Sequence, residues 1–242
     1  MSKEDTQRHG TFSSSAIYKL MTLNRKGDGF GAPAETYIRQ VRWEIALGRA
    51  INKEVTSKAT SWGKYIENVA FNKLPTDYIL VSNKRLFHPE YNWSGATDLI
   101  KEGVTCDCKS PFSLEVFCEK VDILSTGNLD DYMKEFPEDF WQHISNALLL
   151  EESGLGPITH FEAIIYMPYL EDIQSIREGV AMIDDMNLQR QLQWLTYADE
   201  SELPYLIKGG KYKDLNVFQF EIPAHSKAQL KNKVKIANAL IC

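Results

Sequence analysis

The sequence predicts an α/β fold in which a central mixed β-sheet is flanked by helices. Three observations predict it. Residues 95–109 read as a β-hairpin: Val104-Thr105-Cys106-Asp107-Cys108-Lys109 alternates between two faces, and Lys101-Glu102-Gly103 supplies a short glycine-containing turn. Residues 158–168 form a second extended run, apolar in its middle, of the kind that lies inside a sheet and pairs beside the hairpin. Helical patterns follow Pro33 and Pro137, each placed where a proline opens a helix.

Taken in order, the chain begins with Arg8-His9-Gly10-Thr11-Phe12 and the cluster Ser13-Ser14-Ser15, ahead of a short amphipathic helix with Ile17, Leu20 and Met21 on one side. A serine there either caps the helix or offers an anion site, because free backbone N–H groups converge where the helix dipole is positive. Residues 22–32 are a glycine-rich loop without the Gly-Lys-Ser/Thr ending of a phosphate-binding loop. The helix opened by Pro33 runs to about Leu47, with Gly48 near its end. Ser61 is expected to cap the helix 62–74, whose spacing sets Glu67 on the face of Gly63, Ala70, Phe71 and Leu74. A carboxylate among such neighbours needs a cation, either a core lysine or arginine or a metal ion.

Residues 78–100 are strand-rich, with one strand at Tyr78–Val81, another over Trp93–Ile100, and His88 in the loop between them. In the hairpin, Asp107 and Lys109 share a face, and the turn brings Asp98 back beside them. Two acids this close repel unless a cation sits between them, and a lysine in the cluster can hold or polarise a water. That is the arrangement of metal-assisted phosphodiester hydrolysis; the alternative is a surface hairpin with a salt bridge. Residues 111–136 have weak periodicity and many acids, and read as a mobile loop or short helices. The helix from Pro137 to near Gly154 carries a core stripe of Trp141, Ile144 and Leu148 and a separate polar line of Glu138, Gln142 and Ser145/Asn146. A long helix from about Asp172 to Trp194, an extended run Leu215–Ile222 and a lysine-rich helix from about Ser226 to Leu240 complete the chain.

Composition bounds the function. With 43% hydrophobic and 25% charged residues, the 242-residue chain is that of an ordinary globular protein. It has no apolar run long enough for a membrane span and no signal peptide at Met1–Asp5, so a cytoplasmic location is the default expectation. The net charge of −6 argues against broad adhesion to nucleic acid. Charge is segregated: residues 115–152 hold ten acids against Lys120 and Lys134, and residues 208–235 hold seven lysines against Asp214 and Glu221. The two segments read either as solvated faces or as a DNA-binding side opposed to an outer side. The four cysteines, Cys106, Cys108, Cys118 and Cys242, form no disulfide framework and lack iron–sulfur spacing; they read as small buried hydrophobes.

Asp98, followed nine residues later by Asp107-Cys108-Lys109, resembles the core of the PD-(D/E)XK nuclease superfamily, with Thr97 where proline is usual and Asp107 where glutamate is commoner. Other segments resemble the lambda-type phage recombination exonucleases in the same order: Arg8, Gly10 and Ser15; Ala34-Glu35-Thr36-Tyr37-Ile38 with Ala46-Leu47-Gly48; Trp62-Gly63-x-x-x-Glu67-x-x-Ala70; and Gln142. Asn146 stands where many of those relatives have tyrosine.

The resemblance implies a restriction-endonuclease-like core in a single nuclease domain over residues 1–242, with the core at about 8–167 and an extension over 168–242. It implies a divalent-metal-dependent 5′-to-3′ exonuclease on double-stranded DNA, using Mg²⁺ with Mn²⁺ able to substitute. Glu67, Asp98, Asp107 and the Cys108 carbonyl would hold the metal, Lys109 would position or activate water, and Gln142 would orient that water or the scissile phosphate. Arg8 and Ser15 would take the terminal 5′-phosphate. Duplex DNA ends, a ring-shaped homotrimer and a single-strand annealing protein are the implied partners. An endonuclease on the same fold and a non-catalytic nucleic-acid-binding module are the alternatives.

Overall fold

The computed structural model describes residues 9–51, 56–81 and 85–241, so Arg8 and Cys242 lie outside the described residues. Strand β1 (Phe12–Ser13) leads into a 3₁₀ helix, Ser14–Met21, and then α1 (Ala32–Leu47) and α2 (Lys58–Phe71). Strands β2 (Ile79–Leu80), β3 (Leu86–Phe87), β4 (Trp93–Gly95), β5 (Leu99–Lys101) and β6 (Val104–Lys109) follow, then α3 (Leu114–Ser125), α4 (Leu129–Glu135) and α5 (Pro137–Glu152). Strand β7 (His160–Tyr166), the short helices α6 (Ile173–Gly179) and α7 (Met186–Leu192), β8 (Leu215–Glu221) and α8 (Ala224–Ala239) end the fold.

The main sheet has the order β2-β5-β6-β7-β8 and is mixed, because β6 and β7 run parallel while the other pairs are antiparallel. Two fully buried strands at its centre explain the apolar middle of β7: Phe161, Ala163 and Ile165 face one core, and Ile164 and Tyr166 the other. The first core joins the sheet to α5, α8 and the 3₁₀ helix, and the second joins it to α2 and the helices after β7. Burying each large apolar side chain contributes about 1.5–3 kcal/mol, so both layers are needed to hold the strands between them. The predicted turn closes the β5–β6 hairpin with Leu99 opposite Cys106 and Lys101 opposite Val104, and Gly103 takes a left-handed φ of 71°.

Several elements differ from the sequence expectation. The strand expected over Trp93–Ile100 is two strands: β4 belongs to a separate three-stranded sheet with β1 and β3, and the chain bends at 96–98 before β5. Gly95 makes this possible, since a Cβ there would run into Ser14 Oγ and stand 2.7 Å from Leu149 Cδ1. Helix α2 starts one turn early. Ser57 caps it by accepting from Thr60 N, and the Ser61 hydroxyl donates to the Ser57 and Lys58 carbonyls. Residues 114–135 form two helices, capped by Ser113 and Asn128.

The helix expected over Asp172–Trp194 is broken. After Gly179 the helix tightens into a 3₁₀ turn, Val180–Met182, the backbone turns extended at Ile183, and Asp185 caps the fresh start of α7. The segregated charges pair with each other across the fold: Lys211 with Asp122 at 2.9 Å, Lys227 with Glu151 at 2.7 Å and Lys231 with Glu152 at 2.7 Å. The acidic and basic segments are therefore in part an internal match, and the expected division into a DNA-binding side and an outer side does not describe these lysines.

Candidate active site

The alternation of β6 sends Cys106 and Cys108 into the core under α2, while Asp107 and Lys109 face α5. Both cysteines are free and fully buried, as small hydrophobes would be. On the α5 side, three groups close a ring. Gln142 Nε2 donates to Asp107 Oδ1 at 2.7 Å, Lys109 Nζ donates to Gln142 Oε1 at 3.2 Å, and Lys109 Nζ lies 2.7 Å from Asp107 Oδ2. The last contact is a close ion pair, and it is Lys109 that meets the buried Oδ2. Gln142 reaches the ring because α5 presents its polar line to the sheet, while Trp141 and Ile144 fill the core beside it.

Asp98 sits at the start of β5, where its Oδ2 accepts from the Cys108 amide at 3.1 Å. Burial and the Asp107 charge push its pKa up to about 7, against the opposing pull of Lys109 and that amide. Glu67 enters from α2, on the opposite face of the sheet. Gly63, one turn earlier, leaves it room: a Cβ there would lie 3.9 Å from both Glu67 Oε1 and the Ser110 carbonyl. Burial first, then the Asp98 charge, raises Glu67 to about 8. Burial works against the charged form of Lys109, but the carboxylates of Asp107, Asp139 and Asp98 outweigh it and hold the ammonium above the ordinary lysine range.

Three carboxyl groups thus share one lysine, and two of them, Glu67 and Asp98, are held toward their neutral forms for want of a further cation. Glu67, Asp98 and Asp107 are hard oxygen donors sharing one lysine, and they fit Mg²⁺ or Mn²⁺ in donor chemistry. Among the described residues, no three His, Cys, Asp or Glu side chains already stand at ligand spacing; in this arrangement Lys109 and Gln142 satisfy Asp107 instead.

Sequence reasoning missed a second charged pair behind the ring. Lys120 on α3 makes a close ion pair with Asp139 on α5, and both are buried. Burial alone would raise Asp139, but the ammonium groups of Lys109 and Lys120 hold it below the usual carboxylate range. The signal was present: Lys120 interrupts the apolar stripe Phe117, Val121, Leu124, where a lysine is out of place unless paired.

The serine cluster is arranged differently from expectation. Ser13 is the N-cap of the 3₁₀ helix, and its side chain makes no capping bond. Its amide donates to Tyr37 OH at 2.7 Å. Ser14 is buried against Ser145 at 2.7 Å, while Ser15 is exposed in the first turn with its Oγ 3.4 Å from Ser13 Oγ. Ser15 is therefore not a cap. Asn146 is buried beside Gly95, and neither of its amide atoms has a hydrogen-bond partner. His88 is stacked between Tyr91 and Trp93, with ring centroids at 4.6 and 5.5 Å, and belongs to the packing of its loop.

This architecture is shared with solved exonuclease structures. The chain superposes on the alkaline exonuclease LHK-Exo from Laribacter hongkongensis with a TM-score of 0.62 and 14% identity, covering 100% of this chain and 92% of that one. The complex of LHK-Exo with dAMP gives 0.61 and 14%, over the same shares. A phage-related exonuclease from Haemophilus somnus 129PT gives 0.58 and 11%, covering 96% of this chain and 94% of that one. The chain has the fold of these exonucleases, a central mixed sheet flanked by helices. No family model matches the sequence, and no curated protein matches it.

Proposed function

We propose that the protein is a divalent-metal-dependent deoxyribonuclease of the lambda-type recombination family, acting as a 5′-to-3′ exonuclease on double-stranded DNA. The observation that carries this reading is the ring of Asp107, Gln142 and Lys109 set against the raised carboxyls of Asp98 and Glu67. Like charges held this close in a buried site are a standing demand for a cation. A divalent ion held by Glu67, Asp98, Asp107 and the Cys108 carbonyl would supply Lewis-acid stabilisation of phosphoryl oxygens and lower the pKa of a bound water.

The chain's own groups do the remaining work. The Lys109 ammonium and the Gln142 carboxamide orient the attacking water and the scissile phosphate, and Lys109 offsets negative charge as it builds. The water oxygen bonds to phosphorus, the bond from phosphorus to the leaving ester oxygen breaks, and that oxygen ends protonated. Among the described residues, no helix is long and apolar enough to cross a membrane, which agrees with a DNA substrate met in bulk water.

The test follows end-labelled linear duplex and closed circular duplex incubated with Mg²⁺. Mononucleotides released from the linear form, with the circle intact, are the expected result. Cutting of the circle would point to an endonuclease on the same fold, and no metal-dependent cleavage of either would leave only a binding module.

For the terminal phosphate, we propose Arg8 together with Ser15, the exposed hydroxyl of the first 3₁₀ turn. Arg8→Ala should then erase most of a preference for 5′-phosphorylated over 5′-hydroxyl ends, an effect of about 10–100-fold in rate. An unchanged ratio in competition assays would move that pocket elsewhere.

A further inference from the structure

The loop 22–31 is closed, which its glycine content did not suggest. Asn24 N donates to the Gly29 carbonyl at 3.1 Å, Gly31 N to the Thr22 carbonyl at 2.9 Å, and Leu23 bridges Phe30 across the loop. The Asn24 side chain gathers its interior by accepting from Lys26 N at 3.1 Å and donating to Asp28 at 2.9 Å. The closed loop, α1 and the end of α8 enclose an open cleft of about 460 Å³, whose lining includes Phe30, Arg39 and Arg42.

The charges in this cleft stand apart from the paired lysines described above. Arg39 and Arg42 are exposed, one turn apart on α1, and neither has a carboxylate partner among the described residues. Arg39 lies 5.5 Å over the exposed ring of Trp43, which pre-orients its guanidinium fork. Lys233 of α8 adds a third cation, 4.9 Å over the Phe30 ring. Glu35 is the one acid in the lining. On a chain of net charge −6, a cleft lined by two arginines against one acid, with Lys233 at its Phe30 edge, is a local site of attraction for an anion.

We propose that this cleft holds the phosphate backbone of the duplex still to be digested; the inference rests on the nuclease reading above. Its position suits that use. Helix α1 touches both ends of the path, since Tyr37 bonds Ser13 at the serine cluster and Ile38, Arg39 and Arg42 line the cleft. The intervening 3₁₀ helix has 8 residues. At about 2.0 Å per residue it spans roughly 16 Å, or about five base-pair steps of about 3.4 Å. On this proposal the cleft contacts duplex beyond the first few base pairs from the end being processed. Phosphate contacts of this kind fix register and add affinity without reading sequence.

The experiment measures binding by fluorescence anisotropy in EDTA, with the full chain and 5′-phosphorylated DNA hairpins of about 4 and about 20 base pairs in the stem. Arg39→Ala/Arg42→Ala should weaken binding of the long stem by about tenfold or more near 0.1 M salt and lower the slope of log K against log[salt] by about 2. Binding of the short stem should be unchanged, and Arg39→Lys/Arg42→Lys should restore most of the loss on the long one. An unchanged affinity and slope on the long stem, or an equal loss on both stems, would overturn the assignment. The nuclease reading fails separately, if the wild type shows no Mg²⁺-dependent hydrolysis whatever the hairpins do.

Discussion

Two buried carboxylate clusters lie in the same sheet, and they are built on opposite rules. At Glu162, on β7, one acid meets one lysine: Lys101 Nζ donates at 2.9 Å, Tyr78 OH at 2.8 Å and Cys106 Sγ at 3.5 Å. Every donor has a use, and the one other acid nearby, Asp77, is exposed with its carboxylate 3.7 Å from Lys101. At Asp107, three acids share one lysine, and two of them have strongly raised pKa values. Asp107 and Glu162 are buried alike, so the burial of the central acid does not by itself separate the two clusters. What separates them is charge left unbalanced in a place where balance was available, as the neighbouring cluster demonstrates.

The largest effect that would break this comparison falls on the unbalanced cluster. Asp107→Asn, or Asp98→Asn, should lower Mg²⁺-dependent hydrolysis by at least about 10³-fold, roughly 4 kcal/mol of barrier. The melting temperature of metal-free Asp98→Asn should hold or rise, because the substitution relieves like-charge repulsion, whereas Asp107→Asn removes the partner of Lys109 and should lower it. Near wild-type rates in both variants would remove the metal site from the account. On the proposed role of Lys109, in which the ammonium acts on water and phosphate and is not a ligand, Lys109→Ala should lose turnover while keeping divalent-ion affinity. Calorimetry showing both lost together would reassign it.

The balanced cluster should answer in the other currency. Glu162→Gln leaves Lys101 beside a neutral amide, and breaking such a buried pair costs roughly 3–5 kcal/mol in denaturant unfolding. Its specific activity, measured on the folded fraction, should stay within a few-fold of wild type. A stable but inactive Glu162→Gln would show that the two clusters are not independent.

A smaller effect concerns His143, buried beside Gln142 and stacked on Phe161 at 4.4 Å. Burial lowers its pKa to about 4. Its folded value lies below the unfolded one, so the unfolded chain binds more protons between the two. The contribution is full above about pH 6.5 and is lost as pH falls toward about 4, at most about 3 kcal/mol. The raised carboxyls of Glu67 and Asp98 act with the opposite sign, being most stabilising below about pH 4.5 and losing that contribution as pH rises through about 7–8. The comparison must therefore be made against His143→Phe. Unfolding of that variant should lose less stability than wild type between pH 7 and pH 4.5. Equal losses would contradict the assignment.

Much of this was legible in the sequence, for local reasons. The period-two alternation of residues 104–109 and the turn at Gly103 fix which side chains share a face, and the prolines and Gly48 mark helix ends through backbone geometry alone. Gln142 was readable as the polar line on an otherwise apolar helix. What was not legible depended on contacts far along the chain. Gly95 is needed because Ser14 and Leu149 close on it, and Gly179 because the Tyr65 hydroxyl packs there, contacts that join residues far apart in the chain. The segregated charges looked like an outer and an inner side until pairs such as Lys231 with Glu152 joined segments 79 residues apart. Lys120 and Asp139 lay in separate helices with only their misplaced charge to betray them.

The most direct measurement of the central claim is isothermal titration of Mg²⁺ into the wild type, Asp107→Asn and Glu162→Gln side by side. If unbalanced charge makes the cation site, the wild type and Glu162→Gln bind the ion and Asp107→Asn does not. Equal binding by Asp107→Asn, or binding lost in Glu162→Gln with Asp107 intact, would contradict it.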